Sequence, residues 1–442
     1  MKALAHMALD RLPDWKGHAH APQLTAELQR RVWGADGAEG GGGFRARLPA
    51  CWEANERVLD RLLRLPELTV GLPLPVSLPV PGPAPVSGEE GESEEGSASA
   101  APPRDDSSAG NSSSSDSPGS GGGSAGGGYS DGVQVLTHLL RDWAAEGAEL
   151  RRRTYGPILR AVRRLVQPQP QREQGEGGGG GNGARILVPG AGLGRLAFEL
   201  AYGYGGSSST TAGRAYRVTA LDVSPVMVAA AASVLALLRE QGPEQGEGGD
   251  DHRHQELTFF PFVHDPLINQ RSHAARFRPV AAPDPAARRQ ARQRASSSAS
   301  SSLSSLSLEV GDLLAHAAAR PQGYDAVVTC FLIDTGQTPL DYLWAIKQLL
   351  RPGGHWINLG PLNYHKQLPE GAVQLTLEDL EWAAAAMGLV PQPGWALVPE
   401  PCAYRPEPFA GSEGEGGDGG GIPAFLRRDV YHPAFGVYRR EE

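Results

Sequence analysis

Gly190, Gly192 and Gly194 lie in one turn that directly follows a short apolar run. Because a turn without side chains lets a nucleotide-like ligand lie against bare backbone, this spacing predicts a ligand site. At least one of these glycines is expected to adopt a positive φ, which other residues reach only with strain. Such turns serve several classes of nucleotide-like ligand, and some are only tight connections, so the turn alone does not choose among them.

Two aspartates follow later apolar runs. Asp222 ends the run Val218–Leu221, where this architecture places an acid that accepts hydrogen bonds from ribose hydroxyls. Its alternative role is a cap for the helix that opens at Ser224. Asp312 and the apolar Leu313 suit the exocyclic amine and ring face of an adenine, although a plain turn aspartate would look the same.

A helix, the turn Pro352-Gly-Gly354 and a strand follow one another near the middle of the last block. This order is typical of class I methyltransferases and favours S-adenosylmethionine over NAD. A classical dehydrogenase has no need for the turn, so a nucleotide-dependent oxidoreductase is kept as the less favoured alternative.

The three cysteines are Cys51, Cys330 and Cys402, and none belongs to a Cys-x-x-Cys pair. The spacing therefore indicates neither a zinc site nor a disulfide framework, and no metal is expected. Cys330 ends an apolar run without a paired base, so it is interpreted as a small apolar wall rather than a nucleophile.

The elements that would position these residues are short apolar strands alternating with helices. The predicted strands are 186–188, 218–221, 326–330 and 356–359, and the predicted helices between them are 196–201, 225–240 and 339–350. Repeated strand, helix, strand predicts an α/β fold with an open, Rossmann-like doubly wound sheet and ligands at the carboxyl ends of the strands. The turn Pro352-Gly-Gly354 favours a methyltransferase sheet of this kind.

Four regions are predicted along the chain. An N-terminal helical region covers 1–72 with an amphipathic helix at 50–63, a disordered linker covers 73–128, a helical lid covers 129–170, and the methyltransferase domain covers 184–442. The lid is predicted as two helices broken near Gly156 and Pro157.

Low-complexity sequence interrupts these regions. The segments at about 73–128, 171–183, 205–213, 242–254, 281–305 and 411–421 are predicted to be disordered connections or inserts. The local basic run of Arg288, Arg289, Arg292 and Arg294 falls in one of them and is interpreted as a solvated loop.

The net charge of −9 over 442 residues gives no reason to expect nucleic-acid binding. No stretch of about eighteen apolar residues occurs, which argues against a membrane span, and the N-terminus has no sustained apolar region. A cytoplasmic protein is expected, with nuclear residence also compatible, and the helical N-terminal block is compatible with a homodimer.

Three motifs make the chain resemble the carnosine N-methyltransferase family. They are Leu187-Val-Pro-Gly-Ala-Gly-Leu-Gly-Arg-Leu-Ala197, Thr329-Cys-Phe-Leu-Ile-Asp-Thr335 and Pro352-Gly-Gly-His-Trp-Ile-Asn-Leu-Gly-Pro-Leu-Asn-Tyr-His365. Weaker similarity extends to Arg141-Asp-Trp143, to Phe277-Arg-Pro279 and to Pro283-Asp-Pro285, and so covers most of the chain outside the low-complexity segments.

The resemblance implies a set of contacts with the methyl donor. They fall on Arg141, Gly190, Asp222, Asp312, Leu313 and Cys330, with Gly192 and Gly194 in the same turn. His138 stands where the family usually has glutamine, Asp222 where it has glutamate, and Leu313 where it has an aromatic residue. The lid is expected to pack beside the donor site, because Arg141 otherwise has no route to the donor carboxylate.

The resemblance also places acceptor contacts on Asp334 and His365, and on Tyr404 and Tyr431 across the segment 411–421. An imidazole nitrogen that receives a methyl group must be neutral and aimed at the sulfonium. Asp334 could accept the N–H of the other ring nitrogen and stabilise the arriving positive charge. His365 could hydrogen-bond the acceptor or relay a proton. A helix-capping Asp334 and a structural His365 are the alternatives.

The resulting hypothesis is an S-adenosylmethionine-dependent N-methyltransferase that methylates an imidazole nitrogen of carnosine, forming anserine, or of a related histidine-containing dipeptide or peptide. A protein-histidine methyltransferase of the same fold is one alternative. A donor-binding scaffold that has lost catalysis is another, with the acidic and serine-rich segments recruiting partners.

Overall fold

A computed structural model describes much of the chain. The described residues are 44–63, 128–166, 183–202, 216–239, 256–263, 271–296, 306–336, 338–364, 374–395, 399–406, 409–410, 422–423, 426 and 429–442. The helices are α1 (Phe44–Leu63), α2 (Gly128–His138), α3 (Ala148–Leu165), α4 (Arg195–Tyr202), α5 (Pro225–Arg239), α6 (His273–Arg276), α7 (Pro285–Ser296), α8 (Leu313–Ala319), α9 (Pro339–Leu349) and α10 (Leu377–Ala386).

A seven-stranded sheet forms the centre of the fold, in the order β5-β2-β1-β6-β7-β13-β8. Its strands are β1 (Ala184–Pro189), β2 (Tyr216–Asp222), β5 (Leu306–Val310), β6 (Tyr324–Cys330), β7 (Leu350–Gly360), β8 (Leu389–Pro391) and β13 (Ala434–Arg440). β13 runs antiparallel to both of its neighbours, while β5, β2, β1, β6 and β7 pair in parallel. The predicted α/β fold with a Rossmann-like doubly wound sheet is confirmed.

Short apolar runs become strands here because both faces of the sheet are covered by helices. Ile186 and Val188 pack into one core with the buried face of α3, whereas Leu187 points to the other face and packs with residues of α9. Helix α9 begins at a cap, since the side chain of Thr338 accepts a hydrogen bond from the Leu340 backbone.

The helical break lies earlier than predicted. α3 continues through Gly156 and Pro157, and the chain instead breaks at Ala144, where ψ is 158°. Between α2 and this break, Leu139–Trp143 forms a π-helical turn. The prediction of a break near Gly156 was wrong because packing overrides local propensity: residues on both sides of Pro157 are buried against the sheet.

The predicted insert at 281–305 is corrected in the structure. The strands β3 (Leu257–Phe259) and β4 (Val280–Ala282) pair in an antiparallel ribbon, and α7 begins three residues later. The basic run therefore lies at least partly on a helix rather than in a loop. Arg288 anchors it by donating to the Pro283 carbonyl and pairing with Glu256. Residues 297–305 lie outside the described residues.

Helix α1 packs onto this same body. Its Asn55 donates to the carbonyl of Phe260 at 2.9 Å and accepts the Phe260 N–H, and Ser233 on α5 donates to the carbonyl of Leu62. The predicted helix at 50–63 is confirmed and begins six residues earlier, at Phe44.

Three glycine- or serine-rich segments each lead from a helix into the amino end of a parallel strand. They are 167–182 before β1, 203–215 before β2 and 297–305 before β5. The predicted disorder of 73–127, 171–182, 205–213, 242–254 and 411–421 concerns residues outside those described. Among the described residues, none of the helices combines the length and the hydropathy that a membrane span requires.

Candidate active site

The glycine turn has the geometry expected from its sequence. Gly190, Gly192 and Gly194 have φ values of 63°, 54° and 75°, all in the left-handed region. A Cβ atom on Gly190 would lie 2.7 Å from the Leu332 side chain, and one on Gly192 would lie 3.0 Å from the ring of His138. Backbone conformation therefore disfavours a side chain at all three positions, and at Gly190 and Gly192 the neighbouring side chains would also have to shift.

Asp222 ties the end of β2 to this turn. Its carboxylate accepts the N–H of Gly192 at 2.8 Å through Oδ2 and the N–H of Ser224 at 2.9 Å through Oδ1. The cap of α5 is Ser224, whose hydroxyl accepts from Met227, so Asp222 is not the helix cap itself. The carboxylate stands at the carboxyl edge of the sheet, as predicted.

Asp312 caps α8 by accepting the backbone N–H groups of Leu314 and Ala315, both through Oδ1. Its side chain is exposed, while Leu313 is buried. Asp312 is thus a helix cap rather than a plain turn aspartate, and its exposed side chain lies at the edge of the site.

Two exposed valines lie at the same edge of the sheet. Val223 follows β2 and is 71% exposed, and Val310 ends β5 and is 48% exposed. They offer apolar surface for a flat ligand.

The π-helical turn brings Arg141 to the site. The indole of Trp143 donates to the carbonyl of Leu193 at 2.9 Å, which fixes this turn against the glycine turn. Arg141 is only 5% exposed. Burial acts to lower the pKa of Arg141, but Tyr404 and Asp142 beside it outweigh burial, and the pKa lies above its ordinary value. Arg141 is thus a buried cation beside the glycine turn.

A buried ionic cluster supports this arrangement. Asp284 accepts from Arg151 at 2.7 Å and from Arg195 at 2.9 Å, and its backbone N–H donates to the carbonyl of Trp143. Arg151 also donates to the carbonyl of Arg141. These contacts join α3, α4 and the segment before α7 to the π-helical turn, so the position of Arg141 depends on all three.

His138 lies over the glycine turn, at the end of α2. Its Nδ1 is 3.4 Å from Asp142 Oδ2, and its Nε2 is 3.5 Å from the Tyr404 hydroxyl. Tyr155 donates to the other oxygen of Asp142 at 2.8 Å. Burial acts to raise the pKa of Asp142, but the hydrogen bond with His138 and the charge of Arg141 hold it below its ordinary value. Asp142 is therefore a carboxylate that orients its neighbours.

Cys330 ends β6 beside this cluster. Burial raises the pKa of its thiol to about 12, with Arg141 acting in the opposite direction. A thiol with this pKa is not a nucleophile near neutral pH, which agrees with its interpretation as a wall of the site.

An aromatic cluster stands at the same edge and consists of Phe331, Tyr404 and Tyr431. The centroid of the Phe331 ring lies 5.8 Å from that of Tyr404 and 6.0 Å from that of Tyr431. Tyr404 follows β9 (Cys402–Ala403), and Tyr431 ends β12 (Val430–Tyr431), which pairs antiparallel with β9. Between them in the chain, β10 (Phe409–Ala410) pairs with β11 (Ile422–Pro423). The Cζ atom of Arg141 lies 4.5 Å from the centroid of Tyr404 and 5.1 Å from that of Phe331. Arg141, a candidate residue for binding the donor, therefore contacts Tyr404, a candidate residue for binding the acceptor.

Asp334 is 5% exposed and lies in the loop after β6. It accepts the backbone N–H of Asn363 through Oδ2 at 2.7 Å, which ties it to the segment that follows β7. The side-chain amide of Asn363 in turn reaches the hydroxyl of Tyr431 at 3.5 Å. Since Thr338 caps α9, Asp334 is not a helix cap. His365 lies outside the described residues.

The sequence did not single out several residues that the structure brings into the site. Phe331 and Asp284 lie inside motifs that carry the family resemblance, and Asp142 lies beside Arg141. Their membership of those motifs was the available signal, but their roles depend on tertiary contacts.

A match to a protein-family model covers most of the elements that form this site. A family model for carnosine N-methyltransferase matches residues 129–244 and 247–394, more than half of the chain. The chain belongs to the carnosine N-methyltransferase family. The matched ranges contain the π-helical turn, the glycine turn and the loop of Asp334, whereas Tyr404 and Tyr431 lie beyond them.

Curated relatives are similar at moderate identity. The chain is 28% identical over 267 residues to carnosine N-methyltransferase of Schizosaccharomyces pombe, covering 57% of this chain and 60% of that protein. It is 27% identical over 277 residues to carnosine N-methyltransferase unmet of Drosophila melanogaster, covering 62% and 51%. It is 29% identical over 248 residues to carnosine N-methyltransferase of Rattus norvegicus, covering 56% of this chain and 51% of that protein. The chain thus spans about half to three fifths of their lengths.

Solved structures of methyltransferases are more distant. CurJ carbon methyltransferase gives a TM-score of 0.35 at 11% identity, covering 71% of this chain and 60% of that one. Phosphoethanolamine N-methyltransferase 2 of Haemonchus contortus, in complex with S-adenosyl-L-methionine, gives 0.29 at 15% identity, covering 59% and 42%. The fold of this protein is therefore described from its own strand order and not from these distant structures.

Proposed function

We propose that this protein transfers a methyl group from S-adenosylmethionine to an imidazole nitrogen of carnosine, forming anserine, or of a related histidine-containing dipeptide. The observation that carries the proposal is the buried carboxylate of Asp334, held by Asn363 beside an aromatic cluster and a buried arginine. Membership of the carnosine N-methyltransferase family supports the same reaction.

The residues of the carboxyl edge fit the chemistry of the donor. The cation of Arg141 suits its carboxylate, the carboxylate of Asp222 suits ribose hydroxyls, and Asp312 with Leu313 suits an adenine. The three left-handed glycines would let its chain lie against backbone. When bound, S-adenosylmethionine supplies an electrophilic methyl group on its sulfonium.

Asp334 would act on the acceptor. A free imidazole has a pKa near 6.5, so much of it is neutral at cytosolic pH and strong base catalysis is not required. Asp334 would accept the N–H of one ring nitrogen, which fixes the tautomer and aims the lone pair of the other nitrogen. The same carboxylate would stabilise the positive charge that arrives with the methyl group.

Methyl transfer from labelled donor to carnosine, to anserine and to a histidine-containing peptide tests this function. We expect carnosine to be methylated and anserine, whose acceptor nitrogen already carries a methyl group, to remain unlabelled. Transfer to the peptide alone would replace the dipeptide with a protein histidine as acceptor. Absence of transfer to every imidazole would contradict the proposal.

A further inference from the structure

Phe331 lies between the donor-side and acceptor-side residues of the site. Its ring is half-buried, with the guanidinium of Arg141 5.1 Å from its centroid and the rings of Tyr404 and Tyr431 around it. Asp334 follows three residues later in the same loop. The ring therefore borders the space that a methyl group would cross.

The backbone of Phe331 is held in a conformation that aromatic residues rarely adopt. Its φ is 57°, in the left-handed region. Two contacts maintain it: the Phe331 N–H donates to the carbonyl of Leu359 at 2.8 Å, and Gly360 leaves room, since a Cβ there would lie 3.1 Å from the Phe331 backbone. Strain of this kind is retained where surrounding structure enforces it and is concentrated at functional sites.

The face of this ring already contacts a cation. Arg141 lies within the distance at which a guanidinium is attracted to an aromatic quadrupole. In the donor, only a short chain of carbon atoms joins the carboxylate to the sulfonium. A donor whose carboxylate pairs with Arg141 therefore has its sulfonium within reach of the ring that Arg141 touches.

We propose, building on the methyl transfer proposed above, that Phe331 is a further binding residue whose ring face contacts the sulfonium of the donor. In the reaction the S–CH₃ bond breaks with its electron pair remaining on sulfur, and the imidazole lone pair forms the N–CH₃ bond. The positive charge moves from sulfur to the imidazole. Phe331 consequently favours the cationic donor over the neutral S-adenosylhomocysteine, which then leaves.

Calorimetry tests this preference by comparing dissociation constants for S-adenosylmethionine and S-adenosylhomocysteine. In F331L we expect the donor to bind about fivefold more weakly while S-adenosylhomocysteine changes by less than about twofold. F331Y keeps a ring face and should keep the wild-type ratio. F435L is the matched control, because Phe435 on β13 is a buried ring that packs in the core; it should leave the ratio unchanged.

An equal weakening of both ligands in F331L would overturn the proposal, since it would mean that the ring only fills space. If thermal unfolding shows that F331L is not folded, F331M is used for the same comparison of the two ligands. It removes the ring face and replaces it with a flexible side chain. Wild-type protein that binds neither ligand would contradict the proposed function itself. Wild-type binding with a ratio insensitive to residue 331 would contradict only the role of Phe331.

Discussion

Arg141 is a charged side chain at 5% exposure, and its surroundings explain how the fold tolerates it. A buried charge is costly unless it is paired. The carboxylate of Asp142 lies 3.6 Å from Arg141 Nε, and the ring of Tyr404 covers the guanidinium. Asp142 also interacts with His138 and accepts a hydrogen bond from Tyr155, so these side chains hold one another in place around the guanidinium.

Asp334→Asn separates the charge of this residue from its size. We expect kcat for the imidazole acceptor to fall on the order of a hundredfold, because an amide can still accept an N–H but cannot stabilise the arriving positive charge. Donor affinity should remain unchanged, and steady-state kinetics together with calorimetry check both. A variant with wild-type turnover would exclude Asp334 from the mechanism.

Cys330 should be nearly inert to alkylation at pH 8. With its pKa raised to about 12 by burial, the thiolate fraction rises only as pH approaches that value, so labelling by iodoacetamide is expected to be at least about a thousandfold slower than for a free thiol. Mass spectrometry of the peptide that contains Cys330, with urea-unfolded protein as control, measures the rate. Comparable rates in folded and unfolded protein would contradict the wall interpretation.

At the level of elements, hydrophobic periodicity and turn residues predicted the strands of the sheet, but they did not predict the helical break and the loop conformation that position the site. The strands before Gly190 and Asp222 are recognisable because apolar runs of that length are buried in parallel sheets. The helical break at Ala144 was not recognisable, because Gly156 and Pro157 are the stronger local helix-breaking signals. Packing overrides those signals and keeps the helix intact there. Asp334 could be predicted from its motif, whereas the left-handed backbone of Phe331 depends on Leu359 and Gly360, which are distant in sequence.

Asp284→Asn tests the ionic cluster that supports the π-helical turn. The change removes the carboxylate that pairs with the buried guanidinium of Arg151, whereas Arg195 keeps its ion pair with Glu199. We therefore expect the free energy of unfolding to fall by about 3–5 kcal/mol. Binding of S-adenosylhomocysteine should weaken as well, because the turn that carries Arg141 loses its anchor.

Thermal unfolding and calorimetry measure these two effects. Glu149→Gln on α3 is the matched control: Glu149 pairs with Arg152 on the surface, where an ion pair contributes at most about 1 kcal/mol. An Asp284 variant as stable as this control would show that the buried cluster is dispensable.

For the whole molecule, α1 belongs to the same folded body as the sheet although a long stretch of sequence separates them. Asn55 is fully buried and exchanges two hydrogen bonds with the backbone of Phe260. Leu59 and Leu62 of the same helix are buried in a core with residues of α2 and α5. The N-terminal helix is therefore a structural part of the fold.

Asn55→Ala should lower the free energy of unfolding by roughly 2–3 kcal/mol, because it removes both hydrogen bonds that the buried Asn55 side chain makes with the backbone of Phe260. Chemical denaturation measures the change. Asp60→Ala, at an exposed position of the same helix, should lie within about 0.5 kcal/mol of wild type. Equal stabilities of the two variants would mean that α1 is not docked through Asn55.

The low-complexity segments 167–182, 203–215 and 297–305 each join the amino end of a parallel strand, whereas the candidate site occupies the carboxyl ends. A strand of six residues separates the two edges by about 20 Å. Insertions and deletions that accumulate there over evolution would leave the distances between the reacting groups unchanged. The same three positions offer places to shorten the chain for crystallisation or to attach a fluorophore while the site is preserved.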